Sequence, residues 1–380
     1  MCRLTGNAIV TVLISLLIVV GASVPVGAAP EKVRTLEIGA KAPDFLLLGV
    51  DDKLHRLSDY DGAKVLVIVF TCNHCPTAQA YEGRLKKLAA DYKDKGVTLV
   101  AISPNDPKAV RLDELGYTDL GDSLDDMKLR VQDKGWNFPY LYDGDRQEVS
   151  KAYGPMTTPH VFVFDQQRKL RYVGRVDDNE RRPDQVKSRD TRNAIEALLA
   201  GKPVPVEKTK TVGCSIKWSS KRDSVEEAFE RWAKEPVTVQ EIDLKGVEKL
   251  VANGGDKLRV INVWSTRCGP CVIEFPELVE INRMYRRRDF EMVSVSVDGP
   301  RQKDRVLAFL KDKEASFKNY IFTGTDTYAF IEAVDPRWPG PIPYTLIVKP
   351  DGEVLYRHLG LIDPLDVKRT IVEYLGRTYK

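Results

Sequence analysis

Apolar runs of strand length and segments with helical spacing alternate along this chain, and the same order occurs twice. Residues 64–70 and 258–263 are short runs rich in valine, isoleucine and leucine, which predict buried strands. Residues that place apolar side chains on one helical face follow each run, up to about residue 93 in the first case and over 272–288 in the second. Strand, helix and strand in this order predict a right-handed crossover, so we expect an α/β fold.

A proline opens the second part of each repeat. Pro159 precedes predicted strands at 160–165 and 169–176, and Pro343 precedes predicted strands at 345–348 and 353–358. The other predicted elements are a hairpin at 45–48 and 53–57, strands at 97–102, 237–244 and 291–297, a partly helical excursion at 104–136 with Ser123 as N-cap, and helices at 187–200, 246–252, 303–312 and 364–376. The predicted organisation is a signal peptide at 1–28, a first domain at 36–217, a linker helix at 218–236 and a second domain at 237–380.

Length and charge agree with two globular domains and exclude a strongly charged binding protein. The chain has 380 residues, with 58 basic and 55 acidic side chains and a formal net charge of +3. This balance predicts no nucleic-acid partner. The basic cluster 286–288 at the end of a predicted helix is expected to be a solvated helix C-terminus.

The N-terminus has the pattern of a secretory signal peptide. Arg3 precedes an uncharged stretch at 4–30 with an apolar centre at 8–20, and 26–28 is a small-residue cleavage pattern. We expect cleavage after about Ala28; the alternative is an uncleaved anchor, since the stretch is long enough to span a bilayer. Both alternatives predict a periplasmic or secreted protein, in contact with the membrane only if the anchor is retained.

The cysteines form two closely spaced pairs and a singleton. Cys2 would leave with the signal peptide, and the remaining cysteines are Cys72, Cys75, Cys214, Cys268 and Cys271. Each Cys-x-x-Cys pair lies where a predicted strand gives way to a helix, and the positive end of a helix dipole favours a thiolate over a thiol. The pattern therefore predicts redox-active pairs rather than a disulfide scaffold.

Strand, Cys-x-x-Cys, helix and a proline-opened hairpin resemble the thioredoxin pattern in both halves. The second half resembles the TlpA/ResA-like extracytoplasmic thiol–disulfide oxidoreductases, most specifically over residues 262–276. The first half resembles AhpC/TSA-like, peroxiredoxin-related proteins that keep a Cys-x-x-Cys, through residues 158–165 and 213–218. The resemblance implies two tandem thioredoxin-like folds, each a central mixed β-sheet flanked by helices.

The resemblance also implies roles for individual residues. Cys268 and Cys72 would be the exposed nucleophiles, and Cys271 and Cys75 would resolve the mixed disulfide from behind. The substrate-binding positions would be the two cis-prolines and the residues before them, namely Thr158, Pro159, Ile342 and Pro343. No cofactor is expected beyond the redox-active disulfides Cys72–Cys75 and Cys268–Cys271, and no metal.

The second half departs from thioredoxin at its proton-handling position. Thioredoxin keeps a buried Asp six residues before its first cysteine, and this chain has Asn262 there, with Leu66 in the first half. Glu274 is the candidate replacement, because 100° per residue from Cys271 places it on the apolar stripe of the helix. Partial burial would raise its pKa and suit it to exchange protons with Cys271. The alternative is a glutamate at the rim that reaches water.

Further residues are expected to modulate the two sites. Arg267 stands where TlpA/ResA-like proteins usually have Trp, and it either lowers the pKa of Cys268, recognises an acidic partner or points to solvent; Trp264 lies in the same run. His74 either stabilises the thiolate of the first cysteine of its pair or is an exposed neighbour with little effect. Cys214 is either a third redox cysteine or an inert thiol.

Three functions compete. The leading hypothesis is dithiol–disulfide exchange with protein thiols and disulfides, supplied by an unidentified extracytoplasmic electron donor. The second is a thiol peroxidase in the first half, although the peroxiredoxin signature places Thr three residues before the reactive cysteine and here Thr71 is four before Cys75. The third is Cu(I) handling, although thioredoxin-fold metallochaperones typically space their cysteines by three residues and both gaps here are two.

Overall fold

The apolar runs before the two Cys-x-x-Cys motifs form central strands of two separate sheets. The structure, a computed structural model, describes Met1 and residues 33–379. In the first half the elements are β1 (Leu46–Gly49), β2 (Leu54–Arg56), β3 (Val65–Phe70), α1 (Pro76–Tyr92), β4 (Val97–Ser103), α2 (Leu124–Lys134), β5 (Tyr140–Tyr142), α3 (Glu148–Tyr153), β6 (Thr157–Thr158), β7 (His160–Phe164), β8 (Leu170–Gly174), α4 (Asp190–Leu199) and β9 (Cys214–Ser215). In the remainder they are α5 (Arg222–Ala233), β10 (Gln240–Ile242), α6 (Leu244–Ala252), β11 (Leu258–Trp264), α7 (Gly269–Tyr285), β12 (Phe290–Ser296), α8 (Lys303–Asp312), β13 (Lys318–Phe322), α9 (Thr327–Val334), β14 (Tyr344–Val348), β15 (Val354–Leu359) and α10 (Pro364–Leu375).

Both sheets are mixed and share one plan. The first has the order β2-β1-β5-β4-β3-β7-β8 and the second the order β10-β13-β12-β11-β14-β15. In each, the strand before the cysteines pairs in parallel with the next strand, β3 with β4 and β11 with β12. It pairs antiparallel with the strand after the proline, β3 with β7 and β11 with β14. The predicted fold class is confirmed.

Complete burial explains why β3 is apolar at every position. Val65, Val67 and Val69 face a core that contains Tyr81 and Leu85 of α1. The alternate side chains face a second core on the other side of the sheet, namely Leu66, Ile68 and Phe70. Because strand side chains alternate between faces, a strand covered on both sides needs apolar residues throughout.

The charged excursion after β4 joins the two halves. Residues 34–380 form one compact unit. The Tyr285 hydroxyl donates to the Thr118 carbonyl at 2.7 Å, and the Arg377 guanidinium binds the buried Asp119 carboxylate at 2.5 and 3.1 Å. The excursion therefore supplies polar groups and carbonyls that the second half covers.

The basic cluster at the end of α7 is part of this contact, and the prediction of a solvated helix end is wrong for two of its three members. Arg286 makes a bidentate ion pair with Glu235 at 2.7 and 2.9 Å. Arg288 donates to the Gly116 carbonyl at 2.9 Å and is only partly exposed. Arg287 is the exposed member, although its guanidinium still pairs with a carboxylate of the excursion.

Local predictions differ from the structure at several elements. The strand predicted at 237–244 shortens to β10, whose three residues pair in parallel with β13 at the sheet edge. Helix α9 was not predicted, and its N-cap is Asp326, whose side chain accepts from the Ala329 N–H. Ser123 is the N-cap of α2, as predicted, and its hydroxyl accepts from the Asp126 N–H at 3.1 Å.

The predicted signal peptide lies, apart from Met1, outside the described residues. In the part of the chain that the structure describes, no helix is both long and apolar enough to cross a membrane.

Candidate functional site

In the second half, one cysteine of the pair is accessible and the other is enclosed. Cys268 is the N-cap of α7, and its Sγ accepts from the Cys271 N–H at 3.3 Å. The two cysteines form a disulfide with Cα atoms 5.2 Å apart. Cys268 is partly exposed whereas Cys271 is fully buried. An attacking sulfur from outside therefore meets Cys268 first.

The backbone before Pro343 faces this disulfide. The Ile342–Pro343 peptide bond is cis, and the Ile342 carbonyl oxygen lies 3.6 Å from Cys268 Sγ. β14 begins directly afterwards at Tyr344. An extended segment of a partner could hydrogen-bond to this backbone while its own sulfur approaches Cys268.

Glu274 is buried beside the pair. It is 4% exposed, and burial raises the pKa of its carboxyl above the ordinary value. The Asn262 Nδ2 donates to Oε1 at 2.8 Å, and the Ile362 N–H donates to Oε2 at 3.1 Å. Asn262, which the sequence marked only as a missing Asp, thus holds Glu274 in place. Proton exchange between Glu274 and Cys271 stays a prediction.

Trp264 and Arg267 lie on opposite sides of the Cys268 loop. Trp264 is fully buried between Phe275 and Phe309, with ring centroids 4.6 and 4.9 Å away, so it supports the loop from inside. Arg267 is exposed, and its guanidinium makes no hydrogen bond or ion pair with any residue that the structure describes. Of the predicted alternatives, the geometry matches the one in which Arg267 points to solvent.

Asp298 is a site residue that sequence reasoning missed. Its carboxylate accepts from the Thr266 N–H at 2.8 Å, the Thr266 hydroxyl at 2.8 Å and the Ser265 hydroxyl at 2.9 Å. Burial alone would raise the pKa of Asp298, but these donors bring it below its ordinary value. The position of Asp298, just after a strand that neighbours β11, was the available signal.

In the first half the helix begins one turn later with respect to the cysteines. Pro76 is the first residue of α1, so Cys75 is the N-cap. In α7 the proline lies between the cysteines, and the first cysteine is the N-cap. Since proline is tolerated in the first turn but not further inside, its place in the motif sets the helix start. The positive helix end therefore faces Cys75 in the first site and Cys268 in the second.

Cys72 is not the exposed nucleophile that the resemblance implied. It is 2% exposed and Cys75 is fully buried. Cys72 Sγ lies 3.1 Å from the Thr158 hydroxyl, and Cys75 Sγ lies 3.2 Å from the Thr158 carbonyl oxygen. The following Thr158–Pro159 bond is cis. The prediction failed because β9, which comes more than a hundred residues later, covers the pair.

Cys214 lies directly against the first pair. β9 pairs antiparallel with β6, with Cys214 opposite Thr158, and the Cys214 N–H points at Cys75 Sγ at 3.3 Å. The side chains of Cys72, Cys75 and Cys214 pack together in one small cluster with Ala78. The structure thus brings three sulfurs together, one of which, Cys214, is partly exposed.

The three thiols are not equivalent. Burial raises the pKa of Cys72 well above its usual value. Burial alone would also raise the pKa of Cys75, but hydrogen bonds from the Cys214 and Cys72 thiols and the charge of His74 bring it well below the usual range. The hydrogen bond that the Cys214 thiol donates to Cys75 is the main cause that raises the pKa of Cys214, and burial raises it further. The stabilised thiolate of this site is therefore Cys75.

His74 is buried, so the alternative of an exposed neighbour is wrong. Its Nδ1 lies 2.5 Å from the Asp122 carboxylate, and both side chains are almost completely enclosed. Burial would lower the pKa of His74, but the Asp122 charge raises it above the ordinary value. The electrostatic alternative fits, but the sulfur that benefits is Cys75 and not Cys72. Asp122 was not singled out from the sequence.

Among the described residues, Cys72, His74 and Asp122 are the group whose ligand atoms lie close enough to hold a metal ion, within 4.8 Å of one another. Asp122 already accepts from the N–H groups of Asn73 and His74 and from the Asn105 side chain. This carboxylate therefore already has structural partners, and a cation would have to share it.

Comparison with known proteins separates the two halves in the same way. Residues 38–173 match the AhpC/TSA family and residues 236–370 match the Redoxin family. The thiol–disulfide oxidoreductase ResA of Geobacillus thermodenitrificans is 26% identical over 164 residues, which cover 43% of this chain and 82% of ResA.

Two crystal structures are similar to about half of the chain. A hypothetical protein of Sinorhizobium meliloti is 34% identical with a TM-score of 0.44, over 49% of this chain and 97% of its own. A conserved protein of Geobacillus kaustophilus is 41% identical with a TM-score of 0.43, over 48% of this chain and 93% of its own. With the fold and the cysteine sites above, the family matches identify this chain as a tandem thioredoxin-like protein, an AhpC/TSA family domain followed by a Redoxin domain, with homologues among the thiol–disulfide oxidoreductases.

Proposed function

We propose that this protein is an extracytoplasmic enzyme that exchanges dithiols and disulfides with partner proteins through the Cys268–Cys271 site. The observation that carries the proposal is a partly exposed Cys268 bonded to a fully buried Cys271, at a helix N-terminus and beside the Ile342 carbonyl. The extracytoplasmic location is supported by the apolar pattern at 1–28.

The exchange proceeds in two balanced steps. In the reduced enzyme, the Cys268 thiolate attacks a partner disulfide, forms a mixed disulfide and releases one partner thiolate. Cys271 then loses its proton and attacks Cys268 Sγ, which closes the enzyme disulfide and releases the second partner thiolate. Glu274, buried three residues after Cys271 on the same helix, is the group we propose to take that proton. Two electrons pass from the enzyme to the partner.

The first site is proposed to carry out the same chemistry on its own three sulfurs. Peroxidase activity in this half is the competing proposal, and the low pKa of the Cys75 thiol suits either reaction. Peroxide consumption by the reduced protein, compared with a Cys75→Ser variant, separates the two. A rate no faster than that of free cysteine excludes the peroxidase.

Trapping in the native host tests the proposed function. Cys271→Ser leaves Cys268 without its resolving thiol, so we expect disulfide-linked partner proteins on non-reducing gels, which mass spectrometry then identifies. The double variant Cys268→Ser/Cys271→Ser is the matched control and should trap nothing at this site. The proposal would be contradicted if Cys271→Ser traps no adducts and also reduces insulin disulfides as fast as the natural protein.

N-terminal sequencing of the protein recovered from the periplasmic fraction tests cleavage after Ala28.

A further inference from the structure

The first site is closed to outside sulfur atoms at both of its paired cysteines. Cys72 is 2% exposed and Cys75 is fully buried. Exchange requires direct attack of one sulfur on another, so neither cysteine can exchange with an external thiol or disulfide in this arrangement. Cys214 is partly exposed and also contacts Cys75 through its N–H and its thiol. Electrons that enter or leave this site therefore have a single sulfur to pass through.

The close approach of β9 makes this placement specific. Gly213 has φ +149°, and a Cβ at this residue would lie 2.0 Å from the Thr158 carbonyl oxygen. Only glycine allows the two backbones to meet at this distance. β9 therefore covers the backbone before Pro159. At the second site, none of the strands that the structure describes covers the corresponding backbone before Pro343.

Cys214 forms part of the wall of a cavity of about 290 Å³ between the two halves. The side chains of Cys72 and Cys75 do not line this cavity. Its lining includes the charged residues Asp113, Glu114, Lys217, Arg287 and Arg288, together with His74. The volume suits a small organic molecule and is far below that of a folded polypeptide segment.

The charges of the lining favour an anion. Lys217 pairs with Glu114 at 2.5 Å, and Arg287 pairs with Asp113 at 2.7 Å. Arg288 instead donates to backbone carbonyls and lies over the Tyr117 ring at 4.0 Å, with no carboxylate partner among the described residues. The cavity therefore has one uncompensated cation in its wall, and Arg287 keeps 64% of its side chain exposed.

The cavity does not face the second site. Met284 lines it, and this residue lies sixteen positions after Cys268 on α7, or about 24 Å along a helix that rises 1.5 Å per residue. Direct exchange between Cys214 and Cys268 would need the two halves to separate. A diffusible molecule can reach Cys214 without that change.

We propose that the cavity binds a low-molecular-weight anionic thiol or its disulfide, and that Cys214 is the sulfur through which this molecule exchanges electrons with the Cys72–Cys75 pair. The proposal rests on the dithiol–disulfide function proposed for the first site.

For a small disulfide RSSR, Cys214 passes its proton to the Cys75 sulfur, to which its thiol is hydrogen-bonded, as it attacks one sulfur of RSSR; this forms Cys214–S–S–R and releases RS⁻, which takes up that proton from Cys75. Cys75 attacks Cys214 Sγ, releases the second RS⁻ and leaves a Cys75–Cys214 disulfide. Cys72 attacks Cys75 Sγ, which forms Cys72–Cys75 and frees Cys214. One disulfide is reduced to two thiols, one dithiol is oxidised, and the two thiolates take up the two protons that the cysteines lose.

Two small disulfides of similar size and opposite charge test the proposal on the full chain. The reduced Cys268→Ser/Cys271→Ser variant is mixed with the disulfide of 2-mercaptoethanesulfonate or with cystamine, and the loss of protein thiols is followed in time. We expect the anionic disulfide to react about threefold faster or more. When Cys75→Ser is added to this variant, peptide mapping should find the mixed disulfide with the small molecule on Cys214. Equal rates, or an adduct on Cys72 instead, would overturn the proposal.

Variants separate this proposal from the proposed function of the site. Cys214→Ser should slow oxidation by the anionic disulfide at least tenfold, whereas diamide, a small neutral oxidant, should form the Cys72–Cys75 disulfide in the Cys268→Ser/Cys271→Ser variant, which keeps Cys214. An unchanged rate with Cys214→Ser overturns the cavity proposal alone. Failure of Cys72–Cys75 to form even with diamide contradicts the redox function of the site. Arg287→Gln should reduce the preference for the anion, and Arg305→Gln, an exposed arginine away from the cavity, should not.

Discussion

Replacement of Gly213 by alanine should open the first redox site without unfolding the protein. The new Cβ would lie 2.0 Å from the Thr158 carbonyl oxygen and 2.8 Å from its carbon, and both are backbone atoms that cannot rotate away. The φ of +149° adds backbone strain for any residue other than glycine. β9 must therefore move off β6, and Cys214 must move with it.

The expected size of the effect follows from the strain that alanine introduces into the docked state. Strain at a glycine-only φ costs about 1–3 kcal/mol, whereas the cross-strand hydrogen bonds oppose undocking equally in both proteins. A cost of about 3 kcal/mol enlarges the population with β9 undocked roughly a hundredfold. The two large sheets and their cores do not include β9, so the free energy of global unfolding should fall by less than this.

Alkylation of the reduced protein by N-ethylmaleimide, with peptide mapping, measures the opening directly. We expect Cys72 and Cys75 to be labelled at least tenfold faster in Gly213→Ala than in the natural protein. Gly201→Ala is the matched control, because Gly201 also has a positive φ of +65° but a Cβ there would meet nothing within 4 Å. If Cys72 stays as protected in Gly213→Ala as in Gly201→Ala, then β9 is not what covers the pair and the reasoning is wrong.

Three further predictions concern buried charges. Because burial raises the pKa of Glu274, the folded state holds its proton more tightly, and stability falls as pH rises from about 4.5 to the folded pKa; Glu274→Gln should remove this slope in urea titrations. Asp122→Asn breaks a buried pair and should cost about 3 kcal/mol of stability, with the pKa of His74 falling in NMR titrations because its counter-charge is gone. Burial would raise the pKa of Asp119, but Arg377 lowers it below the ordinary value. The ionised carboxylate therefore stabilises the fold above about pH 4, and this stabilisation is lost as pH falls. Arg377→Gln should reduce the part of the free energy of unfolding that is lost in acid by about 1 kcal/mol. A pH dependence of stability that is unchanged in Glu274→Gln or in Arg377→Gln would contradict the role assigned to that residue. An unchanged His74 titration in Asp122→Asn would contradict the pairing of His74 with Asp122.

Most of the sheet architecture could be predicted from the sequence because the central strands are buried on both faces. The run 64–70 corresponds to β3, and 258–263 corresponds to β11 with one residue added. Edge elements were predicted less well. β10 keeps only three of the eight residues predicted, since an edge strand is held by one neighbour and its length depends on where that neighbour ends. Helix α9 lies between a strand and the Pro343 loop, and its aromatic residues did not produce a clear helical period.

The sites divide in a similar way. The N-cap position of each cysteine is local, because it depends on whether proline lies between the cysteines or after them, and this signal is visible in residues 72–76 and 268–271. The partners of the buried charges are not local. Asp122 is 48 residues from His74, and Asn262 is 12 residues from Glu274, so no spacing rule connects them.

The sequence by itself determined the two strand–cysteine–helix units, because short-range sterics and the burial of strand faces act within a few residues. The tertiary structure alone decided which sulfur is accessible. Pairing of β9 with β6 closes the first site and leaves Cys214 facing the cavity, whereas no strand in the described part of the chain covers the backbone before Pro343 and Cys268 stays accessible. Two motifs with the same spacing therefore become one open and one covered site, since exposure depends on segments that are distant in sequence and pack together only in the folded chain.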